Sequence, residues 1–146
     1  HRLSSAASDV YKRQTIHLQG GRDMIQAANE AKGDTKILGV SLLTSLDDSD
    51  TRELYNNDFK KQFDNLINLA METKIDGIVC SSQELELIKD TSLIKVVPGI
   101  RNQDTFDDQK RVMTSGEAYS KGADYIVVGR PITQAKEIGE AIKDYS

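Results

Sequence analysis

Short apolar runs alternate with longer helical patterns along most of this chain, and that alternation limits the folds it can adopt. Each run has the length of a β-strand, and each is followed by a segment with apolar residues at helical spacing. Such alternation is typical of a parallel sheet whose strands are joined by crossover helices. The predicted strands are TIHL (15–18), KILGVSLL (36–43), IDGIVC (75–80), LIKVV (93–97) and YIVV (125–128).

Helices are predicted between and after these strands. The clearest pattern places Phe59, Phe63 and Ala70 on one stripe of a helix over 58–73. Residues 47–50 are interpreted mainly as solvated surface, with Asp48 or Ser49 as an alternative helix cap. The other predicted helices cover 22–32, a short segment around 83–89, 114–121 and about 132–144.

Two architectures satisfy this order of elements, an open doubly wound sheet and a closed (β/α)8 barrel. No G-x-G-x-x-G motif follows the first strand, which disfavours a dinucleotide-binding version of the open sheet. A closed barrel has eight strands and typically about 250 residues. This chain of 146 residues has five predicted strands, so if the fold is a barrel, the chain is the later part of one.

Composition limits the partners that we expect. A net charge of −4 argues against non-specific nucleic-acid binding, which needs a basic surface. No stretch approaches the roughly 18 consecutive apolar residues of a membrane span, and we find no apolar signal-peptide core. The single cysteine, Cys80, excludes an internal disulfide and suits a reducing compartment. We expect a cytoplasmic protein with a small-molecule ligand and no membrane or nucleic-acid partner.

The first fourteen residues, HRLSSAASDVYKRQ, differ from the rest of the chain. They have no sustained apolar period and are rich in Ser and Ala. We interpret 1–14 as a foreign, adapter-like leader, with a natural disordered tail as the alternative, and assign the folded part to 15–146.

Polar residues cluster directly after the predicted strands. Thr44 and Ser45 follow the second strand, Ser81 and Ser82 the third, and Gly129 the fifth, while a polar loop follows the fourth. The carboxyl ends of parallel strands meet at one edge of a sheet, where such folds bind ligands. The sequence therefore predicts a ligand site at that edge.

Gly129-Arg130-Pro131 is the sharpest local motif. A glycine at a strand end lets the backbone approach a ligand closely, and proline suits the first turn of the helix that follows. Arg130 could then donate charge-assisted hydrogen bonds to phosphate oxygens. The alternative is a surface arginine that caps a turn.

The segment VVPGIRNQDTFDDQKRV (96–112) forms a turn at Pro98-Gly99 and then a polar loop of about a dozen residues, a length typical of functional loops. Arg101 and Gln109, with Lys110 and Arg111, supply donors for an anion. A solvated loop with scattered charge is the alternative.

His17 and Cys80 have no motif around them that indicates chemistry. We expect a packed or hydrogen-bonded structural role for His17, and a buried, inert thiol at Cys80 because no histidine lies near it in sequence. No residues have metal-ligand spacing.

Taken together, five motifs closely resemble the bacterial type of the orotidine 5'-phosphate decarboxylase family. The resemblance covers essentially all of 15–146, and PGIR, DDQKRV and VGRPIT are highly specific as a set. It implies a (β/α)8 barrel of which this chain holds strands four to eight. It also implies decarboxylation of orotidine 5'-phosphate to uridine 5'-phosphate without metal or organic cofactor, by a homodimer. The motifs are TIHLQGG, GVSLLTSLDD, DGIVCSSQE, VVPGIRNQDTFDDQKRVMT and ADYIVVGRPIT.

The resemblance assigns roles to particular residues. Arg101, Gln109, Gly129 and Arg130 match the family's phosphate-binding residues. Thr44 matches its substrate-binding residue after the fifth barrel strand, and Ser45 is a weaker candidate.

The chain departs from the family in one respect. The family's catalytic array of Asp and Lys ends in a D-x-K-x-x-D motif, in which the lysine stabilises charge at the ring carbon and delivers a proton. No such motif occurs in 1–146, so we name no catalytic residue and expect the isolated chain to be inactive. The alternatives are a related sugar-phosphate decarboxylase or epimerase barrel, which would need a metal site, and a non-catalytic phosphate-ligand binding fragment.

Overall fold

A computed structural model describes residues 12–43, 45–102 and 113–145 of the chain. Two 3-10 turns, Leu18–Gly20 and Leu85–Leu87, lie among the longer elements. None of the described helices is long and apolar enough to cross a membrane. The strands are β1 (Arg13–His17), β2 (Lys36–Val40), β3 (Gly77–Val79), β4 (Ile94–Val97) and β5 (Tyr125–Ile126), and the helices are α1 (Gly21–Ala31), α2 (Asp48–Tyr55), α3 (Phe59–Glu72), α4 (Ser115–Ser120), α5 (Arg130–Thr133) and α6 (Ile138–Lys143).

The strands form one parallel sheet in the order β1-β2-β3-β4-β5, so each strand pairs with the next one along the chain. A doubly wound sheet would instead reverse direction at a switch point in its strand order. The observed order is that of a barrel wall, which decides between the two architectures left open by the sequence.

One face of the sheet packs on the helices. Ile37, Ile78 and Val97 lie in the same buried cluster as Phe63 and Ala70 of α3. Side chains alternate between the two faces along a strand, so the residues next to these three point to the opposite face. On that opposite face Tyr125 remains 43% exposed.

The sheet is strongly curled, as a contact between its two edge strands shows. In a flat sheet β1 and β5 would lie about 19 Å apart, four spacings of about 4.8 Å. Instead the Arg13 guanidinium donates a hydrogen bond of 2.5 Å to the Tyr125 hydroxyl and lies 4.2 Å from the ring centroid. The wall therefore bends toward closure.

The structure corrects two expectations about helices. Residues 48–55 form α2, and its cap is Asp47, whose carboxylate accepts hydrogen bonds from the backbone of Ser49 and Asp50. Residues 47–49 are exposed and Asp50 is half-buried, so the interpretation of 47–50 as mainly solvated surface is confirmed. The alternative cap at Asp48 or Ser49 was wrong, because a capping box with Asp47 and Asp50 starts the helix one residue earlier.

The predicted helix over about 132–144 is two short helices, α5 and α6, with a break between them. Neither contains a buried residue. Since tertiary packing supplies most helical stability, local propensity alone does not hold a continuous helix here.

The boundary of the folded part also differs from the expected position. β1 begins at Arg13, two residues before the predicted start at Thr15. Residues 13 and 14 of the expected leader are therefore part of β1. Residues 1–11 lie outside the described residues, so the interpretation of the leader as foreign or disordered stays a prediction.

Asp76 joins three elements at the amino ends of the strands. Its carboxylate accepts hydrogen bonds from Lys32 (2.6 Å), Lys36 (3.1 Å) and the backbone of Ile37 (2.9 Å). Partial burial favours the neutral acid, but the hydrogen bonds from Lys32, Ile37 and Lys36 outweigh it and lower the pKa of Asp76 to about 2. The carboxylate is therefore charged throughout the neutral range.

Replacing Asp76 by Asn should lower the free energy of unfolding at pH 7 by about 2 kcal/mol, the equivalent of its pKa shift. The depressed pKa stabilises the fold above the unfolded value near 4, and this stabilisation is lost as the pH falls toward about 2. Urea unfolding of the unaltered chain and of Asp76→Asn at pH 7 and pH 2.5 measures this contribution to stability. Asp64→Asn, which breaks the exposed pair with Lys60, should change stability by less than about 0.5 kcal/mol. Equal effects of Asp76→Asn at both pH values would contradict this role.

Gly77 allows β3 and β4 to approach, because a Cβ at this position would lie 2.5 Å from the Ile94 carbonyl oxygen. Gly77→Ala should destabilise the fold by about 1–3 kcal/mol, since a backbone atom cannot rotate away. The matched control is Gly116→Ala in α4, where an added Cβ meets nothing within 4 Å. This substitution should raise the free energy of unfolding by about 0.5–1 kcal/mol. Thermal unfolding of both variants checks the pair, and a neutral Gly77→Ala would refute the close approach.

Candidate functional site

The predicted site residues that the structure describes all follow the carboxyl ends of strands. Arg101 comes four residues after the end of β4, and Gly129 and Arg130 come directly before and at the start of α5. Parallel pairing of β4 with β5, continued by a hydrogen bond of 2.8 Å from Val127 N to Val97 O, places these segments side by side. Thr44 and Gln109 lie outside the described residues.

Arg130 and its neighbours form the expected strand-to-helix turn. Gly129 is the N-cap of α5, and its carbonyl accepts from the backbone N–H groups of Ile132 and Thr133 at 2.9 and 3.0 Å. Pro131 lies in the first turn, where its missing N–H costs little. Because α5 has only four residues, its dipole is small, and the guanidinium of Arg130 supplies the positive charge here.

The space beside Gly129 is open on the protein side. A Cβ added at this position would meet no atom within 4 Å, so no described neighbour requires a glycine. The close approach of a ligand to this backbone stays a prediction.

Arg101 is fixed through its backbone at the rim of the sheet. Gly99, with a φ of 76°, turns the chain after β4, and Ile100 forms an isolated parallel bridge with Met113. Arg101 N donates to Met113 O at 2.9 Å, and its Nη1 donates to Ile100 O at 2.8 Å. These hydrogen bonds therefore hold the half-buried Arg101 in a defined position.

A mostly apolar cavity of about 280 Å³ lies at the same edge, next to the carboxyl ends of β1 to β4. Its size is close to the lower end of small-molecule pockets. Cys80, one of its lining residues, is 1% exposed, as predicted for a buried thiol. The lining residues are His17, Val40, Leu42, Leu43, Val79, Cys80 and Pro98.

His17 is a residue whose position the sequence did not predict. We expected a packed or hydrogen-bonded structural role, but the structure places it exposed, in the wall of the cavity. The available signal was its position as the last residue of β1, at the carboxyl end where ligands bind.

The turn after β3 is built around a buried carboxylate. Glu84 is 2% exposed and accepts a hydrogen bond of 2.7 Å from the backbone of Ser81. Ser81 and Ser82 are buried at 0% and 1% exposure, and their hydroxyl oxygens have no hydrogen-bond partner among the described residues. Sequence patterns indicated the two serines but not Glu84, whose burial depends on tertiary packing.

A second cavity, of about 440 Å³, lies beside the start of α2. Its acidic residues already hold the local structure: Asp47 caps α2, and Asp48 accepts from Phe59 N and from Arg52. These hydrogen bonds lower the pKa of Asp48, and the one from Phe59 N has the largest effect. An acidic lining does not suit a phosphate, so this cavity is separate from the candidate site.

No cluster of three or more potential metal ligands exists among residues 12–43, 45–102 and 113–145. The described part of this edge offers two arginines and an apolar cavity. Guanidinium groups can bind a phosphate, and an apolar cavity can hold a less polar part of the same molecule.

Known proteins match this chain over most of its length. The model of the orotidine 5'-phosphate decarboxylase / HUMPS family matches residues 6–145. Among curated relatives, an orotidine 5'-phosphate decarboxylase of Aquifex aeolicus is 44% identical over 128 residues, which are 84% of this chain and 55% of the relative. One of Streptococcus sanguinis is 43% identical over 135 residues, 87% of this chain and 58% of the relative.

Solved structures give the same result. The orotidine 5'-phosphate decarboxylase of Lactobacillus acidophilus superposes with a TM-score of 0.74 and 29% identity, over 91% of this chain and 62% of that structure. The enzyme of Pyrococcus horikoshii gives a TM-score of 0.67 and 25% identity, over 92% and 59%. These matches confirm that the five strands are part of a (β/α)8 barrel, and the chain spans little more than half the length of the relatives it matches.

Proposed function

The chain belongs to the orotidine 5'-phosphate decarboxylase / HUMPS family, and we propose that the complete protein converts orotidine 5'-phosphate to uridine 5'-phosphate and CO2. The observation that carries this proposal is the family match together with the arginines that follow β4 and β5. The cited relatives are all named as this decarboxylase, which favours it over a sugar-phosphate decarboxylase or epimerase.

The described portion of the chain would bind the phosphate. Arg101 and Arg130 extend from segments that follow neighbouring strands, and guanidinium groups match phosphate oxygens with paired hydrogen bonds. Gly129 would let the backbone approach the same oxygens. Thr44 and Gln109 are proposed as further substrate-binding residues, with Ser45 a weaker candidate, on the resemblance alone.

The pyrimidine ring would occupy the apolar cavity. Pro98 lines this cavity and lies three residues before Arg101 in the same post-β4 segment. A substrate that spans the two would place its ring against Val40 and Val79 and its phosphate at the rim. Binding energy from the phosphate, which does not react, can then stabilise the transition state at the ring.

The catalytic motif that the resemblance implies does not occur in residues 1–146. The sequence has no D-x-K-x-x-D motif, and the proposed chemistry needs its lysine to stabilise the developing negative charge and protonate the ring carbon. We therefore propose that 15–146 binds the substrate phosphate but does not catalyse alone. The complete protein would be a homodimer that needs no metal or organic cofactor.

Arg130→Ala should weaken binding of uridine 5'-phosphate to the chain by about 10- to 100-fold, the cost of a charged hydrogen bond. Isothermal titration calorimetry measures the dissociation constants. Lys121→Ala removes one positive charge before the amino end of β5 and should leave the affinity within about twofold, since the charge is solvent-exposed. Equal effects of the two substitutions would indicate non-specific electrostatics and contradict the assignment.

The purified chain should not convert orotidine 5'-phosphate, because its sequence has no D-x-K-x-x-D motif to supply the proposed catalytic lysine and aspartates. The loss of orotate absorbance with time measures turnover, and the Aquifex aeolicus enzyme serves as the positive control. Turnover above the buffer background that is lost in Arg130→Ala would show that this chain has a catalytic group of its own.

A further inference from the structure

Asn102, the residue after Arg101, has a side chain that contacts two other segments of the chain. Its Oδ1 accepts from Ser115 N at 2.8 Å, and its Nδ2 donates to Ser115 Oγ at 3.0 Å. Nδ2 also donates to the carbonyl of Asp144. The carboxamide thus binds the first residue of α4 with both of its ends and reaches a third segment as well.

The backbone of Asn102 is held by that third segment. Asn102 N donates to the Tyr145 hydroxyl at 3.2 Å, and the Tyr145 side chain packs against the buried cluster of the sheet and helices. The turn at Asp144 and Tyr145, which follows α6, therefore contacts the chain one residue beyond Arg101. These contacts span 42 and 43 positions in sequence.

The residues on the amino-terminal side of Asn102 are also held in place. Ile100, 0% exposed, bridges to Met113, and Arg101 N donates to Met113 O. Arg101 is consequently held on both sides in sequence: by a bridge at Ile100 and by the carboxamide network at Asn102. Both anchors end on the segment at Met113–Ser115 that opens α4.

Only an amide side chain of this length makes the full set of contacts. An aspartate could accept from Ser115 N, but its carboxylate would face the Asp144 carbonyl, and neither group can donate. An alanine would leave Ser115 N and the Asp144 carbonyl without this partner. A fixed anchor next to Arg101 reduces the conformational freedom that ligand binding would otherwise restrict.

We propose that Asn102 is a positioning residue for phosphate recognition, and that the turn at Asp144–Tyr145 acts through it to orient Arg101. The inference rests on the proposed function, because it assumes that Arg101 binds the substrate phosphate. It adds that the turn after α6 affects how tightly Arg101 binds the phosphate.

Tyr145→Phe tests this with the smallest change, since it removes the acceptor for Asn102 N and keeps the packed ring. It should weaken binding of uridine 5'-phosphate about three- to tenfold, the effect of one hydrogen bond. Asn102→Ala should weaken it more. Tyr119→Phe, at an exposed tyrosine of α4, is the matched control and should change nothing.

A double-mutant cycle with Arg101→Ala separates positioning from general stability. If Tyr145 acts through Arg101, Tyr145→Phe should change affinity less than about twofold once Arg101 is alanine. Calorimetry on the 146-residue chain measures all four affinities, and thermal unfolding reports any change in fold. An equal loss in both backgrounds, or no loss in either, would overturn the positioning role.

The two proposals fail in different ways. If the unaltered chain binds uridine 5'-phosphate and Arg130→Ala loses it, but the Asn102 and Tyr145 variants bind normally, only the positioning role is wrong. If the unaltered chain does not bind uridine 5'-phosphate, the proposed function of this portion is wrong, and the positioning role is wrong with it.

Discussion

Parallel pairing of each strand with the next one along the chain is the constraint on which the rest of this structure depends. It directs every strand the same way, so the carboxyl ends of β1 to β5 meet at one edge. Residues far apart in sequence, such as His17 and Pro98, thereby line one cavity. The curl of the wall, shown by the contact of Arg13 with Tyr125, makes this edge concave.

The two ends of the strands have different tasks. At the amino ends, Asp76 joins Lys32, Lys36 and the start of β2 in contacts that stabilise the wall. At the carboxyl ends lie an apolar cavity and the arginines that we propose as phosphate ligands. This division matches the general behaviour of parallel barrels, in which the amino face carries stability and the carboxyl face carries function.

Anchoring of the site depends on elements with few buried residues of their own. α5 and α6 contain none, yet the turn that follows α6 accepts two of the hydrogen bonds that hold Asn102, one from its backbone N–H and one from its side-chain amide. The order of the ligand edge is therefore coupled to a weakly packed part of the chain. On the proposed role of Asn102, ligand affinity would respond to changes in this turn that touch neither the ligand nor the core.

The sequence by itself determined the strands, most helices and the arginine motifs, because period-2 and period-3.6 apolar patterns and short turn motifs are local properties. Only the tertiary structure decided that His17 lies in the cavity wall, that Glu84 is buried under Ser81, and that Asn102 meets Tyr145. It also decided the break between α5 and α6, where no packed face extends the helix. The positions of His17 and Asn102 depend on contacts across tens of residues, and such contacts leave no pattern in neighbouring positions.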